Sequence, residues 1–223
     1  MNRLTYILII ILIFGCQSES ENNDHWGGVS PDLISAVDIS YFPTIAESNP
    51  LFYNAQGDQV DFLNSLLDSG VNTIRLRLWV NPTEDVSSLQ GVIEFSTLLK
   101  SLGFRIWITP HFSETWAHPG QQILPSEWES LNFDELKEEL YSHISQIMTE
   151  IEPEYIQIGN EINTGILFPH GDIVNNPNQF LELINQGVSA VRGLSSTTKI
   201  ICLLYTSDAA DEGLGVDLGG RRI

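Results

Sequence analysis

The stretch Tyr155-Ile156-Gln157-Ile158-Gly159-Asn160-Glu161 reads as a short buried strand that ends on an amide and a carboxylate side by side. A strand of alternating apolar residues needs no acid at its tip for stability. Parallel βα barrels set their chemistry where strands stop, on the loops that follow. A lone Asn-Glu is more simply a turn carrying a solvated Glu, so the sequence on either side has to decide.

That sequence alternates. Upstream, Phe133 to Ile151 places Leu136, Leu140, Ile144 and Met148 four apart, the spacing of one helix face. Downstream, Phe180 to Leu194 repeats the pattern through Leu183, Ile184, Val188 and Val191, and Lys199-Ile-Ile201 opens another strand. Further back, Asp58 to Ser69 and Leu89 to Leu102 are predicted helices, stopped by Gly70 and Gly103. Ser35–Ser40, Val71–Trp79 and Phe104–Thr109 are predicted strands. Short strands alternating with helices predict an α/β fold of parallel strands joined by crossover helices. Four such units and a fifth strand suit the N-terminal half of a (βα)8 barrel, truncated at about the fifth strand. They suit an open doubly wound sheet as well, although no glycine-rich dinucleotide fingerprint follows the first strand. An intact barrel takes about 250 residues, and residues 35–201 fall well short of it.

Of 223 residues, 42% are hydrophobic and 17% charged, which suits one globular domain. The 29 acids against 10 bases give a net charge of −19. That balance repels nucleic acid and favours neutral substrates. Arg3, the apolar run Leu4–Phe14 and Gly15 make residues 1–15 a signal peptide, too short to span a bilayer as a mature helix. Ile13-Phe14-Gly15-Cys16 resembles a bacterial lipobox, with Phe14 atypical, so Cys16 is expected to carry the lipid. Residues 16–34 read as an acidic tether. The expected location is the bacterial cell envelope, lipid-anchored, with the outer surface suggested by the acidic stretch. With Cys16 acylated, Cys202 has no disulfide partner. From Cys202 the sequence loses its periodicity and resembles the in-frame translation of a transposon-type sequencing adapter, so residues 202–223 are expected to be foreign to the natural chain.

Polar and aromatic residues collect after each predicted strand. The first carries Asp38 and Ser40; the second Arg75, Arg77 and Trp79; the third His111, Ser113, Glu114, Trp116 and His118; the fourth Asn160, Glu161 and Asn163. Alternation points Arg75 and Arg77 the same way, a costly arrangement in a core without acids beside them. In an active-site cup they could hold Glu161 and a second carboxylate ionised. Glycoside hydrolysis fits this inventory, because it needs two carboxyl groups and surfaces that seat sugars. Trp79 and Trp116 offer aromatic faces, and Arg, His and Asn match hydroxyls. Glu161 is the candidate proton donor to the glycosidic oxygen.

Four blocks then carry a specific likeness: Ala36-Val-Asp-Ile-Ser40, Gly70-Val-Asn-Thr-Ile-Arg-Leu-Arg-Leu-Trp-Val-Asn-Pro82, His111-Phe-Ser-Glu-Thr-Trp-Ala-His-Pro-Gly120 and Gln157-Ile-Gly-Asn-Glu-Ile162. In order and spacing the chain resembles glycoside hydrolase family 53, the arabinogalactan endo-β-1,4-galactanases. It departs from that pattern at Glu114 and His118, where the family usually has Asp, and at Ala36-Val37, where it has Gly-Ala. The resemblance implies a (βα)8 barrel, retention of configuration, and β-1,4-galactan of pectic side chains or arabinogalactan as the partner. It implies Glu161 as acid/base, with Asp38, Arg75, Arg77, Trp79, His111, Trp116 and Asn160 binding substrate or orienting the site. It places the nucleophile, a second Glu, at the end of a seventh strand beyond this chain. The 223 residues as written are therefore expected to be inactive and to fold poorly, with open sheet edges. No cofactor or metal is expected of these residues; a structural metal in the other half stays open. Two other readings remain: another retaining barrel glycosidase such as a mannanase or cellulase, and a non-catalytic, surface-tethered glycan-binding lipoprotein.

Overall fold

The computed structural model describes residues 33–203 and the backbone of 216–217 and 221–222. The expected signal peptide, Cys16 and most of the tether lie outside these residues. Five parallel strands form one sheet: β1 (Ala36–Asp38), β2 (Thr73–Leu78), β3 (Arg105–Pro110), β4 (Tyr155–Gln157) and β5 (Lys199–Ile201). Their spatial order is their chain order. A doubly wound sheet reverses its order at a switch point; this one does not. The fold is half of a (βα)8 barrel.

Helices fill the crossovers: α1 (Phe42–Ala46), α2 (Phe62–Asp68), α3 (Leu89–Ser101), α4 (Phe133–Ile151) and α5 (Pro177–Leu194). The sequence sets their starts. The Asp61 carboxylate accepts from Asn64 N at 2.8 Å, the Ser88 hydroxyl from Gly91 N at 3.1 Å, and Asn132 with Glu135 closes a capping box. Alternate strand positions Ile74, Leu76, Leu78, Ile106, Ile108 and Ile156 are buried in one core with Leu99, Leu136, Leu140, Ile144, Ile147 and Leu183 of the helices. The opposite sheet face, which becomes the barrel interior, carries Asp38, Arg75, Trp107 and Tyr155 in one register row. Period-two alternation thus separates an apolar scaffold from a polar interior.

Three local features depart from the sequence reading. Helix α2 starts at Phe62 rather than Asp58, because Gln59–Val60 pairs with Phe52–Tyr53 as a hairpin. The Asn54 side chain closes its turn, accepting from Gln56 N and Asp58 N at 3.0 and 2.9 Å, and this outweighs the helical spacing. The unpredicted α1 is held by aromatic packing, with Phe42 and Phe52 at 4.9 and 4.8 Å from Phe62. In the tail, Val216–Asp217 pairs antiparallel with Arg221–Arg222, a short ladder that the loss of periodicity does not predict. Cys202 is exposed and free. Among the described residues no helix is long and apolar enough to cross a membrane.

Candidate active site

The polar residues gather at the carboxyl ends of β1 to β4. Arg75 is the hub. Its guanidinium pairs with the Asp38 carboxylate and donates to Asn160 Oδ1 at 2.9 Å, so one side chain ties β1 to the end of β4. Asp38 also accepts from Ser40 N and Oγ at 3.0 and 2.7 Å. Ser40 Oγ accepts in turn from Arg77 N at 2.9 Å, which fixes the first loop against β2.

Asn160 is buried and fully engaged. Its Oδ1 also accepts from Gln157 Nε2 at 3.2 Å, and its Nδ2 donates to Ala117 O at 2.9 Å. Gln122 Nε2 donates to the carbonyls of Asn160 and Glu161 at 2.9 and 3.3 Å, clamping the loop after β3 onto the dipeptide. The chain reaches Glu161 through two left-handed residues. Gly159 has φ +76°, and a Cβ there would stand 2.6 Å from Ile162 Cγ2, so glycine is required. Glu161 itself has φ +48°, a conformation that costs an L-residue about 1–2 kcal/mol. The bonds to its carbonyl and to its neighbour's amide hold it there. The carboxyl group is thereby aimed by backbone rather than by a salt bridge. The expectation that the arginines grip Glu161 needs correcting: Arg75 grips Asp38 and Asn160, and Arg77 does neither.

Arg77 sits in an aromatic cage. Its Cζ lies 4.6 Å from the Trp116 ring centroid, 4.9 Å from Trp79 and 5.5 Å from Tyr41, and its Nε donates to Ser87 Oγ at 3.1 Å. Each ring face attracts the cation, which offsets burial of a guanidinium whose pKa that burial lowers. Trp79 is 7% exposed and serves as cage wall and core; Trp116 is 50% exposed and presents a face outward. Trp79, His111 and Trp116 contact one another edge to face at 5.6–6.3 Å between centroids.

Burial, and then the charges of Arg75 and Arg77, push the His111 imidazole down to about 3. It is neutral, its Nδ1 accepting from Ala117 N at 3.1 Å, so the proton sits on Nε2. That Nε2 is buried with no partner among the described residues, as are Trp79 Nε1, Trp107 Nε1, Thr109 Oγ1 and Gln157 Oε1. Such groups are costly in a scaffold and useful where a polar ligand is handled.

The third loop has its own supports. Glu114 accepts from Ser126 N at 3.1 Å, Asn81 Nδ2 donates to Glu127 at 2.8 Å, and Thr164 Oγ1 donates to Pro119 O at 2.7 Å. His118 turns inward on its own loop, accepting from Gly120 N at 3.2 Å. Glu114 and His118 therefore shape the loop here rather than join the Arg75 network. Gln122, Ser87 and Tyr41 were not legible as site residues, since nothing in their spacing marks them. Gln157 was missed as well, although its sequence carries a signal: a buried amide in an apolar strand must find partners. A cavity of about 690 Å³, lined by Arg105, Glu154, Tyr155 and Lys199 among others, lies at the amino ends of the strands, away from this chemistry. Among the described residues no group of three or more His, Cys, Asp or Glu is arranged for a metal.

The fold and the cluster are those of half a βα barrel whose fourth strand ends on Asn-Glu, the asparagine bound to an arginine of the second strand. The model of glycosyl hydrolase family 53 matches residues 34–213, and the chain belongs to that family. The match runs past Ile201 into the stretch read as foreign. The chain is 32% identical over 172 residues to arabinogalactan endo-beta-1,4-galactanase A of Emericella nidulans, covering 74% of this chain and 49% of that protein. It is 28% identical over 193 residues to the endo-beta-1,4-galactanase of Bacillus subtilis, covering 81% and 44%. The Ignisphaera aggregans GH53 catalytic domain superposes with a TM-score of 0.73 at 33% identity, over 80% of this chain and 53% of that one. One of two fungal beta-1,4-galactanases does so with 0.71 at 30% identity, over 77% and 53%. The chain thus spans about half the length of the curated relatives it matches.

Proposed function

We propose that this half barrel belongs to a retaining endo-β-1,4-galactanase and carries its acid/base residue, Glu161. One observation carries the reading: Glu161 follows a buried Asn160 whose amide is locked to Arg75 and through it to Asp38. A binding protein gains nothing from an acid set by a left-handed backbone beside such a network; a proton donor needs its direction fixed. The galactanase names of the relatives support galactan as the substrate.

In the first step Glu161 gives its proton to the glycosidic oxygen as the bond from that oxygen to C1 breaks. A second carboxylate, assigned by resemblance to a seventh strand outside the described residues, attacks C1 from the opposite face. In the second step the Glu161 carboxylate takes a proton from water, whose oxygen attacks C1 and releases the enzyme. His111, neutral and donating through Nε2, and the outward face of Trp116 are proposed to hold the sugar. Lipid attachment at Cys16 and location in the bacterial cell envelope are proposed from the lipobox-like sequence alone. The test is release of galacto-oligosaccharides from β-1,4-galactan by the full-length enzyme, and its loss in Glu161→Gln. Turnover of mannan or cellulose with none of galactan would overturn the substrate.

A further inference from the structure

Tyr41 belongs to none of the four sequence blocks and has no part in the chemistry above. It follows Ser40, whose hydroxyl accepts from Arg77 N, so its backbone neighbour is tied to β2. One side of the ring meets the Arg77 guanidinium at 5.5 Å, yet the residue remains 43% exposed. A tyrosine serving only as core would bury that area, and one serving only as a solvated cap needs no cation behind it. Beside it opens a cleft of about 630 Å³, lined by Tyr41, Pro43, Thr44, Glu47, Glu84 and Asp85 among others. Apolar ring faces backed by hydrogen-bonding side chains are how proteins seat a neutral sugar.

We infer that Tyr41 and this cleft form a subsite for a further sugar of a neutral glycan, remote from the bond that breaks. Tyr41 and Trp116 lie 5.5 and 4.6 Å from the same Arg77 Cζ, so one cation links the cleft to the exposed Trp116 ring. Arg77 pre-orders both rings, which lowers the entropy lost on binding. The inference rests on the glycan reading but not on galactan in particular.

The test separates binding from turnover. The full-length Glu161→Gln protein is run in gels containing β-1,4-galactan, β-mannan or β-glucan, with and without Tyr41→Ala and Tyr41→Phe. Retardation in galactan, weakened about tenfold in apparent affinity by Tyr41→Ala and kept by Tyr41→Phe, is the expected result. Retardation only in mannan or glucan, with the same dependence on Tyr41, would uphold the subsite and overturn the galactanase reading. Equal retardation with and without the Tyr41 ring overturns the subsite, as does no retardation in any gel. In the active enzyme Tyr41→Ala should raise KM on polymer about tenfold and move kcat less than twofold; a loss confined to kcat also overturns it.

Discussion

The two ends of α4 and β4 are built on opposite principles. Helix α4 lays Leu136, Leu140, Ile144 and Ile147 into the core, opens with a capping box and satisfies its own backbone. Within ten residues of its end, Asn160 lies between left-handed Gly159 and Glu161, among buried amides, a charged arginine and unpartnered donors. The helix departs from local rules only at its left-handed cap Glu152 and at the buried, unpartnered His143 Nε2 and Ser145 Oγ, whereas the strand tip breaks several within three residues. Stability is stored in the helix and given up at the strand tip, where departures from local rules are closest together, as expected of the site proposed above.

The sharpest way to break this contrast is to exchange the effects. Glu161→Gln keeps shape and removes the proton, so turnover of galactan by the full-length enzyme should fall 10²- to 10⁴-fold with its urea midpoint unchanged. A large loss of stability instead would make Glu161 a structural residue. Leu140→Ala should do the reverse. It costs about 2–5 kcal/mol by chemical denaturation while kcat of the folded fraction stays within about twofold.

His143 joins the two regions, because it lies on α4 yet packs edge to face on Phe112 and Trp128 of the third loop, at 6.3 and 5.6 Å. Burial lowers its pKa to about 4, against about 6.5 unfolded. Above pH 6.5 both states are neutral there and its contribution is fully present. As pH falls from 6.5 toward 4 the unfolded chain takes the proton first, so stability is lost across that window. His111, lowered to about 3, acts in the same direction. The urea midpoint should drop between pH 6.5 and 4, and His143→Gln should flatten that drop; an unchanged slope would remove His143 as its source. The smallest effect belongs to the helix alone. Asn132→Ala, which opens the capping box, should cost about 1 kcal/mol and leave KM and kcat in place.

The contrast also explains what was legible. Strand and helix periodicity located β1 to β5 along the chain and gave the span of α4, because each follows from one chain's own apolar spacing, while leaving the spatial order open between barrel and doubly wound sheet. Asp38, Arg75, Arg77, Trp79, His111, Trp116 and Asn160 were all named, and all of them meet in one connected cluster. Which of them touch was not readable. That Arg75 takes Asn160 rather than Glu161, and that Gln122 clamps both peptide carbonyls, depends on crossing 85 and 38 residues of chain. Helix α1 and the hairpin around Asn54 were missed because a two-residue strand and a five-residue helix carry too little period to read.

Whether Glu161 is the acid/base of a retaining reaction can be read from one measurement. Glu161→Ala in the full-length enzyme, given an aryl β-galactoside with a good leaving group, should still form the glycosyl-enzyme because little protonation is needed. With no base to activate water, that intermediate should be relieved by added azide, which attacks from the face the leaving group vacated. Faster turnover with azide and a β-galactosyl azide product, configuration retained, is the expected result. An α-galactosyl azide would make Glu161 the nucleophile instead, and no response to azide in a folded variant would remove it from the chemistry.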